Sequence, residues 1–467
     1  FFREISMKLP DGPQTPPMWQ MIHWVASPLG YLDTNARQFP DVFTARFRSL
    51  GAMVFFSHPQ AVQEILTADA RLFDAGRANG ILQPLVGDNS ILLLDRDRHK
   101  QERKLLMPPF HGDRMQTYGK LIVEITRQVM SRWRTGETFK VREATQEITM
   151  RVILNAVFGL SEGERYERVR HVMTRVLDAT GSPLTSSLLF FPILQQDWGS
   201  WSPWGGFVRQ REQLDELLYA EIRERRENLD PSRTDILTLL LLARDEQGEP
   251  MTDWQLRDEL VTLLLAGHET TATALAWALY WLHELPEVRQ KLRSELEELG
   301  ENPDPMAIVK LPYLNAVCQE TLRIYPVALI TFPRVVNSSF EVMGQKFEAE
   351  TWLAPCIYLT HHREDLYPEP KKFKPERFLE RQYSPYEFYP FGGGSRRCLG
   401  SALAMYELKL AIATIVSDLD LELPDDRLVK PVRRGVTVAP SNNLRLSIVR
   451  QREQATYSSE KVETRSR

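Results

Sequence analysis

Residues Tyr389–Leu403 read YPFGGGSRRCLGSAL: three glycines, two arginines and a cysteine just ahead of an apolar run. The chain has only three cysteines in 467 residues, at 318, 356 and 398, so the placement of this one asks for a reason. A glycine-rich turn lets backbone come close to a ligand. The apolar run predicts a helix over 401–417, which puts Cys398 at its mouth. Free N–H groups and the helix dipole favour a thiolate there. On the residues of the loop alone, several chemistries stay open. Glycines and arginines suit a phosphate cradle, although G-x-x-x-x-G-K-[ST] is absent. A nucleophilic cysteine needs a base, and no neighbouring histidine is evident. A thiolate ligand to haem iron uses the glycines, the arginines and the cysteine together. A plain glycine turn needs none of them.

Most of the remaining chain reads as helix. In TDWQLRDELVTLLLAGHETTATALAWALYWLHELPE, Thr252 or Asp253 caps the start and Pro286 stops the run. The span 253–285 is about 33 residues, or roughly 50 Å long. Its middle is apolar on nearly every side, so it should cross the core rather than lie on it. Further helices are predicted at 59–67, 98–107, 112–133, 142–158, 163–180, 205–226, 233–243, 286–299 and 312–324. Strand patterns gather at about 41–58, 330–360 and 428–450, with turns at Gly51, at Asn337–Ser339 and at Gly344. The segment 184–206 is a loop rich in Trp and Phe. The expected architecture is mainly α, with an α-rich body over about 59–325 and 398–418 and a small β-rich region. No Pro/Gly/Ser linker divides it, so 1–467 reads as one domain, with a polar tail over about 451–467.

Composition narrows the function. The formal net charge of −4 argues against nucleic acid as the main partner. The cysteines form neither an even framework nor a C-x-x-C pair, which suits a reducing compartment and a cytoplasmic location. No apolar run reaches the length of a membrane span, so no transmembrane anchor is expected. The first residues, FFREISMKLPDGPQTPP, do not read as a signal peptide.

The wider pattern is specific. FGGGSRRCLG matches Phe-x-x-Gly-x-Arg-x-Cys-x-Gly, the haem-binding signature of the cytochrome P-450 family, through Phe391, Gly394, Arg396, Cys398 and Gly400. AGHETT (266–271) resembles the oxygen-activating motif of that family's long central helix. ETLR (320–323) resembles its Glu-x-x-Arg pair, and PERF (375–378) the element that follows. Four short motifs in the family's order are far stronger than any one. The resemblance covers essentially the whole chain.

It implies a P-450 fold, a triangular α-helical body around a buried haem b, and O2 as co-substrate. It makes Cys398 the metal ligand. Phe391, Gly392, Arg396 and Gly400 would help hold the haem, with Ala266 against its other face. His99 and Arg103, at i and i+4 of DRDRHKQERKLLMPPF, and Arg334 of TFPR match the family's propionate partners. Glu269 and Thr270 would deliver protons, although a mid-helix threonine more often bonds back to its own helix. Small Ala266 and Gly267 would let the macrocycle and dioxygen approach. Glu320, Arg323 and Arg377 would form a structural network bracing the cysteine loop, since Glu320 and Arg323 share a helix face. His268, His361, His362 and Cys356 read as structural.

The implied activity is a soluble, bacterial-type haem-thiolate monooxygenase acting on a lipophilic substrate, with a fatty acid or terpenoid favoured. Electrons would come from a separate ferredoxin and ferredoxin reductase, or a flavodoxin, and the chain is expected to be a monomer. A basic patch of Arg96, Arg98, Lys100, Lys104, Arg397, Lys371 and Lys372 would dock the donor. Substrate would lie among 81–90, 184–204, 263–270, 327–332 and 436–438, with Arg77 as a candidate for a carboxylate. Two alternatives are a peroxide-using or rearranging haem-thiolate enzyme and a non-catalytic haem sensor. The acid–alcohol pair Glu269-Thr270 favours the monooxygenase.

Overall fold

Thr252 and Gln255 cap each other: the Gln255 N–H donates to the Thr252 hydroxyl, and the Thr252 N–H to the Gln255 side chain. This capping box starts a helix of 32 residues, Asp253–Glu284. It ends where Leu285, held extended ahead of Pro286, cannot continue it. The computed structural model that shows this describes residues 9–48, 51–110, 114–181, 194–199, 202–424 and 429–452. The helix is buried over most of Leu256–His283 and crosses the largest core, as its apolar middle requires. Helices Val141–Phe158, Pro203–Glu227, Pro312–Ile324 and Ser401–Asp418 pack around it.

The other predicted helices form with ends shifted by a few residues: Pro59–Thr67, Arg96–Leu106, Arg114–Met130, Glu164–Gly181, Ile236–Leu242 and Pro286–Glu297. Of the helices not anticipated, the two longest are Pro17–Ala26 and Pro28–Ala36. Both begin with proline at the first turn, where its fixed φ helps and its missing N–H costs nothing. The proline-rich look of this segment concealed them.

The described residues hold twelve strands: β1 Val42–Phe47, β2 Gly51–Phe56, β3 Phe73–Asp74, β4 Thr138–Lys140, β5 Arg334–Val336, β6 Ser339–Val342, β7 Gln345–Glu348, β8 Trp352–Pro355, β9 Leu419–Glu422, β10 Pro431–Arg434, β11 Thr437–Pro440 and β12 Arg445–Gln451. The main sheet runs β1-β2-β8-β5-β3 and is antiparallel except for β2 with β8, which pair Met53 with Trp352. Its face toward the two N-terminal helices carries an aromatic core in which Phe43 and Phe55 stack at 4.9 Å beside Trp24 and Tyr31. β3, β4 and β9 were too short for their patterns to register. The predicted helix start at 112, the loop residues 182–193 and 200–201, and the tail from 453 lie outside the described residues.

Candidate active site

The cysteine loop is shaped by its glycines. Gly392 (φ 66°) and Gly394 (φ 63°) adopt left-handed backbone. A Cβ on Gly394 would sit 2.0 Å from the Leu66 carbonyl oxygen, so only glycine lets the loop lie against the helix Pro59–Thr67. The Cys398 N–H donates to the Phe391 carbonyl (3.0 Å) and closes the loop. Cys318 and Cys356 are buried, and desolvation pushes each thiol up to about 12. Cys398 is the accessible cysteine of the three. Protein nevertheless surrounds it closely enough for burial to raise its pKa, so it sits in an internal recess rather than on the outer surface. The Gly400 N–H and the charges of Arg103 and Arg397 pull the other way. A coordinating metal ion would complete the deprotonation.

The central helix opens onto the core at one stripe. Ala266 is exposed within this otherwise buried stretch of helix, and Leu263, Gly267 and Thr270, spaced i, i+4 and i+7, are partly so, as is Leu265. Gly267 departs from expectation. A Cβ there would lie 2.6 Å from Ile153 Cδ1, so its smallness serves close packing against Val141–Phe158. Ala266 is the residue that leaves open space. The Thr270 hydroxyl donates to the Ala266 carbonyl at 2.5 Å, the ordinary fate of a mid-helix threonine. Glu269 is not free either. Arg142 Nη2 reaches its Oε1 at 2.7 Å and Gln146 Nε2 its Oε2 at 3.1 Å. Neither partner was foreseen, since nothing local in the sequence links positions 142 and 269. His268 is buried against the Gln146 carbonyl, and desolvation lowers its pKa to about 4.

A cluster of cations gathers near the loop. His99, Arg334 and Arg396 line one cleft with Arg96 and Ser395. Arg396 donates to Asp95 Oδ1 (2.6 Å) and to the Leu94 carbonyl (2.5 Å), while Arg103 Nη1 donates to the Arg397 carbonyl (2.8 Å). Arg334 is buried, donates to the Phe332 carbonyl at 2.6 Å, and has its pKa drawn down to about 9 by desolvation and by Arg396. Desolvation, with Arg396, Arg103 and Arg334 nearby, lowers His99 to about 3, so it is a neutral imidazole. Asp95 is the carboxylate that Arg396 and Arg334 both sense. Asp74 also bears on Arg396 and pairs with Arg96; two acids against Arg96, Arg103, Arg334 and Arg396 still leave positive charge in excess, the donor set that a pair of propionates would satisfy. Asp95 itself was missed, although its place just ahead of a helix marked it as a candidate cap.

Glu320, Arg323 and Arg377 do come together. All three are buried, with Glu320 and Arg323 at 0% exposure. Arg323 forks onto Glu320 (2.6 and 2.8 Å), and Arg377 Nε reaches the same carboxylate at 3.1 Å. Arg323 also donates to the carbonyls of His361, Pro370 and Lys372. His361 carries the brace onward, because its Nε2 accepts the Tyr389 N–H at 3.1 Å. Tyr389 O in turn accepts the Gly392 N–H (2.9 Å), so the network reaches into the cysteine loop from two residues ahead of Phe391.

Other expected contacts do not form. Arg77 is half-exposed and paired with Glu350 (2.8 and 2.5 Å), which satisfies its charge. In the expected basic patch, Arg96 pairs with Asp74, Lys104 with Glu246, Lys371 with Asp33 and Lys372 with Glu369. Arg98, Lys100 and Arg397 are exposed and form no close ion pair among the described residues.

The chain is similar to known proteins over nearly its whole length. The family model described as Cytochrome P450 matches residues 10–447. The chain is 36% identical over 444 residues to the Mycobacterium tuberculosis protein named cytochrome P450 135B1, covering 95% of this chain and 92% of that one. It is 32% identical over 451 residues to that organism's cytochrome P450 135A1, covering 96% and 97%. Among solved structures, the heme domain of cytochrome P450DA superposes with a TM-score of 0.81 at 23% identity, over 96% of this chain and 98% of that one. The retinoic acid-bound cyanobacterial CYP120A1 does so with a TM-score of 0.81 at 24% identity, over 95% and 100%. The chain belongs to the cytochrome P450 family, whose members bind haem b and use O2 as co-substrate, and its general activity is that of a haem-thiolate monooxygenase.

Proposed function

We propose that Cys398 supplies the thiolate that would hold a haem iron and that the enzyme hydroxylates a lipophilic substrate, a fatty acid or terpenoid, with electrons from a separate protein. The observation that carries this reading is the recessed, accessible Cys398 on a loop tied to a cluster of buried, under-neutralised cations. Bound haem supplies the activation of O2 and the insertion of one oxygen atom. The residues of this chain do the rest. Cys398 donates electron density, with the Gly400 N–H and the charges of Arg103 and Arg397 stabilising its sulfur as an anion. Arg334, Arg396, Arg103 and the neutral His99 take the propionates. Phe391, Gly392 and Gly400 would shape the haem site on the cysteine side, and Ala266 would leave room on the other.

Proton delivery falls to Glu269 and Thr270. Glu269 must leave Arg142 and Gln146 to carry a proton inward, and the Thr270 oxygen remains able to accept a hydrogen bond while its O–H points to Ala266. Glu320, Arg323 and Arg377 hold the loop in register. The substrate lies against the Leu263–Thr270 stripe and the largely apolar segment 327–332. The exposed charges of Arg98, Lys100 and Arg397 attract an acidic ferredoxin, or a flavodoxin. No helix among the described residues is long and apolar enough to cross a membrane, and we place the protein in the cytoplasm as a monomer. The test is a ferric spin-state screen of fatty acids and terpenoids, followed by turnover with ferredoxin and ferredoxin reductase. A hit that is hydroxylated only when both partners are present supports the reading. Equal turnover with peroxide alone overturns it.

A further inference from the structure

Asp95 occupies the N-cap of the helix Arg96–Leu106, where an aspartate ordinarily turns its carboxylate back onto the first free N–H groups. Here it does not. No side-chain cap bond forms, and only the Asp95 carbonyl serves the helix, accepting the His99 N–H at 3.2 Å. The carboxylate is engaged elsewhere. Oδ1 receives the Gly76 N–H at 2.7 Å and Arg396 Nη2 at 2.6 Å, and Oδ2 receives the Arg77 N–H at 3.1 Å. One acid thus joins three parts of the chain: the helical turn Ala75–Ala78, the helix that carries His99 and Arg103, and the cysteine loop.

The backbone around Asp95 is held tightly. Gly76 passes so close that a Cβ there would sit 2.1 Å from the Leu93 carbonyl oxygen. Arg96 turns the chain with φ at 54°, left-handed backbone that is uncommon outside glycine. Such a residue persists only where its surroundings over-determine it. Arg96 pairs with Asp74 of β3 at 3.1 Å, and Asp74 takes Asn337 Nδ2 at 3.2 Å. Arg396 is fixed just as closely. Its Nη2 is committed to the Leu94 carbonyl and to Asp95, and one Nη1–H to the Ile91 carbonyl at 3.3 Å. A guanidinium has five N–H groups in one plane. The Nε–H and the second Nη1–H have no partner among the described residues, and Arg396 lines the same cleft as His99 and Arg334.

We infer that Asp95 is a positioning residue of the propionate clamp: it fixes the plane of Arg396 so that the two uncommitted N–H groups serve the cleft, and it ties the cysteine loop to the helix bearing His99 and Arg103. The inference rests on the proposed reading of the cation cluster as that clamp. Asp95 itself is assigned no contact with the cofactor. Its bond to Arg396 is the ion pair of that guanidinium among the described residues. Charge-assisted bonds are about twice as strong as neutral ones. Without Asp95, Arg396 keeps two backbone carbonyls and loses its anion, the stronger constraint on its orientation.

The test follows haem transfer to apomyoglobin from the holoenzyme of wild type, Asp95→Ala, Asp95→Asn, Arg396→Leu and the double variant Asp95→Ala with Arg396→Leu. Asp95→Ala should quicken haem loss about tenfold, the effect of losing one hydrogen bond to a charged group. Asp95→Asn keeps an acceptor for Arg396 but not its charge. Its haem loss should stay within about threefold of wild type, while the haem reduction potential rises, because Arg396 is left unbalanced. A purely structural role would not move that potential, and it decides the matter should Asp95→Ala hold no haem. Because Asp95 acts through Arg396, the double variant should lose haem within about twofold of the rate of Arg396→Leu alone. Additive losses in the double variant, or an unmoved potential in Asp95→Asn, overturn the inference. Faster loss in Arg396→Leu beside wild-type behaviour in Asp95→Ala overturns it alone. Unchanged loss in Arg396→Leu overturns the clamp reading and the inference with it.

Discussion

Replacing Glu320 with alanine should cost the protein its haem before it costs the protein its fold. The carboxylate is wholly buried and receives Arg323 twice, Arg377 once and the Lys374 N–H at 2.8 Å. Its removal leaves two guanidiniums buried without an anion. Arg323 keeps its carbonyls at 361, 370 and 372, and Arg377 those at 368 and 372, so neither is wholly orphaned. Breaking a buried pair from one side costs about 3–5 kcal/mol. A domain typically has about 5–15 kcal/mol to lose, so roughly a fifth or more of its stability goes. The loss is directed at one place. Arg323 sets the His361 carbonyl, His361 receives the Tyr389 N–H, and Tyr389 opens the cysteine loop. Haem per polypeptide by pyridine haemochrome, and urea unfolding followed by circular dichroism, measure the two effects. Glu320→Gln should fall between, since its carbonyl still accepts. Full haem content in Glu320→Ala with a shift below about 1 kcal/mol would refute the brace.

Three further outcomes follow from the geometry. Arg334→Leu should stabilise the haem-free protein by about 1–3 kcal/mol, because a buried cation with its pKa drawn down to about 9 is removed. The same variant should bind haem more weakly, which a haem titration with thermal melts of both forms would show. Thr270→Val and Glu269→Gln should each lower product formation by about 10²-fold while leaving the substrate-induced spin shift intact, as expected of groups that move protons. Stability should begin to fall near pH 6.5 on acidification, above the carboxylate range. Burial depresses His99 and His361 to about 3 and His268 and His283 to about 4, so the unfolded chain takes up protons that the folded one refuses. His361→Gln should flatten part of that slope in pH-dependent denaturant melts.

The cysteine loop, the central helix and the Glu320–Arg323 pair were legible because each is written in contiguous residues: glycines where backbone must bend, an apolar helix middle, and charges one turn apart; Arg377, 57 positions from Glu320, came only with the family resemblance. What escaped the sequence depends on meetings across the chain. Arg142 answers Glu269 from 127 positions away, and Glu259 receives the Ile91 N–H from 168 away. Gly267 looked like room for a ligand and is room for Ile153, a distinction that only packing makes. Most of the expected basic patch dissolved for the same reason. Lys371 and Lys372 read as free charge, yet Asp33 and Glu369 neutralise them. Arg98, Lys100 and Arg397 are what remains.

The most direct measurement is the absorption spectrum of dithionite-reduced protein under carbon monoxide, for wild type and Cys398→Ala. The account predicts a strongly red-shifted Soret band in wild type that the substitution abolishes, because thiolate ligation comes from this residue. A wild-type protein that binds no haem, or a band that survives in Cys398→Ala, would contradict it.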